Sequence, residues 1–83
     1  MPNAVREAAR RERLGFDARA AVTYFRDEAR HCENLISIAE RHLRVCSRGS
    51  LEWQSAKESA KREGERAAMF RWAANALESE FAL

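Results

Sequence analysis

The sequence predicts an all-α protein built as an antiparallel helical hairpin, and three observations lead there. The 83 residues include one proline and three glycines, so little interrupts helix. Apolar residues recur in two long stretches at alternating spacings of three and four. Between those stretches lies one convincing loop, Ser47-Arg48-Gly49-Ser50.

The elements follow in chain order. Asn3 is placed to cap a short first helix from Ala4 to Leu14, with Gly15 as its stop, so residues 1–15 read as an N-terminal helix or arm. Asp17 is placed to cap a long second helix over residues 17–46. Its seam, Ala18, Val22, Phe25, Ala29, Cys32, Ile36, Ala39, Leu43 and Cys46, runs without a break. Ser50 caps a third helix over 50–81, and Glu52 in its first turn complements the positive end of the helix dipole. The seam there is Trp53, Ala56, Ala60, Glu63, Ala67, Phe70, Ala74, Leu77 and Phe81. Two seams of matching length joined by a short loop pack in the coiled-coil manner, crossing at roughly 20°. Phe25 should then meet Ala74 and Cys32 should meet Ala67, so large residues face small ones. No strand pattern competes, and residues 1–83 form a single helical domain.

Two helices alone cannot enclose a core. Tyr24, Leu35, Ile38 and Val45 lie off the seam and widen the apolar face of the second helix. On the third helix Ala68, Met69, Trp72, Ala73 and Ala76 make residues 67–77 apolar nearly all round, and such a helix is expected to be buried on every side. The first helix offers Val5, Ala8, Ala9 and Leu14 as partial cover, but it is too short and too basic to cover everything. Pairing two hairpins into a four-helix bundle is the simplest completion. Size argues the same way, since a domain this small buries only about 60% of its unfolded surface.

Composition narrows the class. Hydrophobic residues make up 46% and charged residues 34%, too apolar for a disordered chain and too charged for a membrane one. The longest apolar runs fall far short of the roughly 18 residues that span a bilayer, and no apolar signal core follows the Arg-rich start. Cys32 and Cys46 share one expected helix and stand about 21 Å apart at about 1.5 Å per residue. A disulfide needs Cα atoms within about 7 Å, so free thiols and a reducing, cytoplasmic setting are expected.

Four constellations carry chemical interest. Glu28 and His31 have the Glu-x-x-His spacing, and Glu63 interrupts the facing seam; the set resembles the ligands of ferritin-like di-iron bundles. The antiparallel register, however, places Glu63 beside Leu35 and Ile36, more than a turn from Glu28 and His31, with a nearby Arg as its simpler partner. His42 and Cys46 stand one turn apart, two ligands where a metal site needs more. Gly64 in mid-helix costs roughly 1 kcal/mol against alanine, which close approach of a partner helix would explain. The fourth is electrostatic: the net charge is +2 with thirteen arginines and two lysines, and Arg41, Arg44, Arg48, Lys57, Lys61 and Arg62 gather near the hairpin tip. Such a cluster suits phosphates or an acidic protein surface.

These features predict a non-enzymatic protein-interaction module that self-associates as a homodimer or higher oligomer and binds a larger macromolecule, as phage or mobile-element inhibitors of host machinery do. Partner contacts are expected at Met69, Trp72 and Ala76 and at Arg41, Arg44, Arg48, Lys57, Lys61 and Arg62. No catalytic residue, cofactor or metal ligand is assigned. An oligomer that sequesters a phosphorylated small molecule or nucleotide, using Arg side chains and Trp72 or Tyr24, is the alternative, and a metal-binding helical bundle is the third reading.

Overall fold

The computed structural model describes residues 2–83, with side chains described from Asp17 onward and, before it, at Arg6, Ala9, Arg10 and Glu12. Two helices make the fold, α1 (Pro2–Val45, 44 residues) and α2 (Leu51–Phe81, 31 residues). They pack as the expected antiparallel hairpin.

The break at Gly15 does not occur. Residues 2–45 form one helix, so there is no separate helix over 1–15, Asp17 caps nothing, and Asn3 lies inside α1. A glycine within a helix costs only about 1 kcal/mol relative to alanine, which the helical hydrogen bonding continuing on both sides outweighs here. The consequence is a long rod. At 1.5 Å per residue α1 measures about 66 Å and α2 about 46 Å, within overall extents of 70 × 15 × 13 Å. The N-terminal part of α1 therefore runs on past the end of α2 and does not fold back over residues 67–77.

The connection is as predicted. Ser50 N–H donates to Ser47 O at 3.0 Å, and Gly49 has φ +84°. Together they form a type II turn, whose third position requires positive φ. Ser50, extended at φ −67° and ψ 165°, then caps α2 by accepting from Trp53 N–H at 3.2 Å. Leu83 N–H closes the far end on Glu78 O at 3.0 Å.

The core is a line of small side chains. Ala18, Val22, Ala29, Cys32 and Ala39 of α1 meet Ala56, Glu63, Ala67 and Ala74 of α2, all buried and all on the expected seams. The larger seam residues Phe25, Ile36, Leu43, Trp53, Phe70 and Leu77 reach only half-burial. Phe25 stacks on Phe70 with ring centroids 6.0 Å apart and meets Tyr24 edge-on at 5.6 Å. On the opposite flank Arg26 pairs with Glu78 and Glu33 with Arg71, one heptad apart along each helix. Midway between the two flanks lies the register that sets Phe25 level with Ala74. The largest fully buried side chain is Cys32. Two helices thus zip closely, but among the described residues no Phe, Leu, Ile, Met or Trp is enclosed.

Candidate interaction surface

The two flanks of the hairpin differ in kind. One is polar and internally neutralised: the Arg26–Glu78 and Arg71–Glu33 pairs bridge the helices, and Asp27 holds Arg30 at 3.8 Å. The cleft there is lined by Arg26, Arg30, Glu33, Arg71 and Asn75 over Ala29 and Ala74. Each of its arginines already faces a carboxylate, which leaves little positive field for a phosphate.

The other flank is apolar at the end away from the loop, charged in the middle and mixed towards the loop. There a groove runs between Leu35, Ile38 and His42 of α1 and Leu51, Glu52, Ser55 and Ser59 of α2, over Ala39 and Ala56. Stepping away from the loop by threes and fours keeps to the same face. On α1 that path visits His31, Glu28 and Tyr24; on α2 it visits Arg62, Arg66, Met69, Ala73 and Ala76. Trp72 stands at the outer edge, one turn from both Met69 and Ala76. The aromatic end is open to solvent: Tyr24 is 58% exposed, Met69 56% and Trp72 71%. Ala76 is exposed beside them.

The charged belt between these ends is built around Glu63. Its carboxylate is buried in the seam, with Arg66 Nη1 at 3.5 Å and Arg62 Nε at 3.6 Å from Oε1. Both distances exceed a good hydrogen bond. The other oxygen, Oε2, is buried with no hydrogen-bond partner. Cys32 lies under the same belt. Burial first, and then the neighbouring Glu63 carboxylate, push its thiol upward from the ordinary value, with Arg66 opposing and Glu28 adding to the rise. The expected Arg partner of Glu63 is therefore present, while the carboxylate itself stays buried in the seam.

The remaining sequence candidates fall as follows. Arg41, Arg44, Arg48, Lys57, Lys61 and Arg62 are all exposed. Lys57 stands over the Trp53 ring at 5.2 Å, Arg62 turns to Glu63, and neither cleft includes any of the six. Among the described residues no three His, Cys, Asp or Glu side chains come together as a metal group, so Glu28, His31 and Glu63 do not meet in one, nor do His42 and Cys46 find a third. Cys32 and Cys46 are both free. A Cβ at Gly64 would meet nothing within 4 Å, so α1 does not explain that glycine. Sequence reasoning missed Leu51, 81% exposed, as part of the groove. Its signal was an apolar residue between the cap at Ser50 and the seam that opens at Trp53. No helix among the described residues is long and apolar enough to cross a membrane. Comparison with known protein families, curated proteins and solved structures finds no match to this chain.

Proposed function

We propose that the chain is a non-enzymatic protein-interaction module that docks its apolar flank on a protein surface and modulates its partner through that contact. The observation that carries the reading is the exposed cluster of Tyr24, Met69, Trp72 and Ala76. Scattered apolar residues are ordinary on a surface, but exposed Met69, Trp72 and Ala76 stand within one turn of each other on α2, and exposed tryptophan among apolar neighbours marks an interaction site. The free charges at the tip, Arg41, Arg44, Arg48 and Lys61, supply steering towards an acidic partner. A module of this shape acts by covering or reshaping the surface it binds, which suits an inhibitor of host machinery encoded by a phage or mobile element. A reducing, cytoplasmic setting belongs to the same proposal, in keeping with a buried thiol at Cys32.

A photo-crosslinking amino acid placed at position 72 in producing cells tests this, with position 30 on the ion-paired flank as control. The expected result is a discrete protein adduct at 72, to another protein or to a second copy, that is absent at 30. Equal labelling at the two positions would overturn the assignment.

A further inference from the structure

On a rod of two helices the positions facing away from the seam belong to water and should be polar. α1 keeps to this: opposite its seam stand Asp27, Arg30, Asn34, Ser37, Arg41 and Arg44. α2 keeps to it only towards the loop. At about 100° per residue, the positions from 58 onward that lie within about 60° of Trp72 are Glu58, Lys61 and Glu65, and then Ala68, Met69, Trp72, Asn75, Ala76 and Ser79. The last six are all exposed and uncharged, along about 18 Å of helix. The neighbouring guanidinium groups are engaged elsewhere, Arg66 with Glu63 and Arg71 with Glu33 across the opposite flank.

Shape and charge together say what covers this ridge. Trp72 is 71% exposed, and the alanines one turn to either side, Ala68 and Ala76, leave its ring standing above the helix. A flat surface resting on the ring would leave gaps over both alanines, whereas a groove with one pocket fills all three places. Met69, Trp72 and Ala76 also have the i, i+3, i+7 spacing with which a single helix enters a groove. Glu65 lies one turn before Met69 and Glu80 one turn after Ala76, so two carboxylates bracket the uncharged stretch. Neither makes an ion pair among the described residues, and Lys61 lies a full turn further off.

We propose that the back of α2 is the docking element, and that its partner is a different protein whose apolar groove takes residues 68–79 as one helix, with Trp72 in a pocket and Lys or Arg at both ends. The proposal rests on the interaction-module reading and gives the partner its form and charge. Neither cleft described above makes a second copy fit. One has its arginines paired with Glu78, Asp27 and Glu33; the other is lined by Glu52 and by no Lys or Arg, so carboxylate would meet carboxylate. Anionic lipid headgroups would meet the same two carboxylates.

Benzoylphenylalanine introduced singly at positions 69, 72 and 76, and at 24, 34 and 38 of α1, tests the site in producing cells, with adducts mapped by mass spectrometry. Positions 69, 72 and 76 should join the same partner protein, with yields about tenfold lower from α1. Replacing Glu65 and Glu80 together by Lys in the position-72 chain should lower its yield by about fivefold or more while circular dichroism shows intact helix. Yields at 24 or 38 equal to that at 72 would overturn the single-helix groove and leave the interaction module standing, because the contact would then span both helices. An adduct between two copies, or labelled lipid in place of protein, overturns the proposed partner, and a yield unchanged or raised by the charge reversal overturns its basic ends. With no protein adduct at any position, this proposal and the interaction-module reading fall together.

Discussion

Trp72→Ala separates the role of the apolar flank from the stability of the hairpin beneath it. A tryptophan presents about 250 Å², and at 71% exposure roughly 180 Å² awaits cover. At about 25 cal/mol per Å² that cover contributes up to about 4.5 kcal/mol. Truncations at interface tryptophans commonly cost about 2 kcal/mol or more, a weakening of at least about 30-fold. Inside the hairpin little changes, because the ring touches little there and alanine is the better helix former by about 0.5 kcal/mol. The variant should therefore keep its helical content and its melting temperature in dilute solution while association weakens by at least about 30-fold. Circular dichroism melts at low concentration and sedimentation equilibrium across a concentration series read the two quantities separately. A melting temperature lowered by more than about 5 °C with association intact would refute the reasoning, since it would place Trp72 in the packing of the hairpin itself.

Gly64→Ala should stabilise the fold by about 1 kcal/mol and raise the melting temperature by about 4–8 °C, since the added methyl meets nothing; a loss of stability would show that another chain packs closely there. Replacing Arg44, Arg48 and Lys61 together by Glu should leave helical content unchanged and weaken binding to an acidic partner, with the difference fading as salt rises. Unchanged binding would remove the tip from the functional account. Iodoacetamide should label Cys46 in the native protein and reach Cys32 only on unfolding, as mass spectrometry of the two cysteine peptides would report. Because the folded Cys32 thiol keeps its proton above its ordinary value of 9.0, the folded state binds more protons than the unfolded one in that range. Its stabilising contribution is full below that value and is lost as pH rises past it. Urea unfolding followed from pH 8 to 10 should show the decline, and Cys32→Ala should flatten it.

The parts of this fold that the sequence made legible are those repeated many times along it. The two seams rest on eighteen positions that agree with one another, so one ambiguous residue cannot shift them, and the Ser50 cap and Gly49 turn sit where both seams demand a reversal. Gly15, Asn3 and Asp17 failed as punctuation because each is a single local preference of about 1 kcal/mol set against helical hydrogen bonding that continues on both sides. The exposure of Trp72 and Met69 was readable from their place off the seam. The isolation of Glu63 Oε2 was not, because seam position predicts burial but says nothing about which donors the neighbouring turns can bring.

The slender shape has a consequence for how the molecule behaves in flow and in a beam. A compact chain of 83 residues has a radius of gyration near 12 Å and a fully unfolded one near 28 Å, and this rod lies between them at 19.4 Å. Small-angle scattering would thus return a value resembling a half-unfolded chain from a molecule that is almost entirely helical. On a sizing column the same elongation raises friction, so even a single hairpin elutes ahead of its mass. Scattering intensity and sedimentation, which weigh particles and do not time their drift, therefore report how many hairpins travel together.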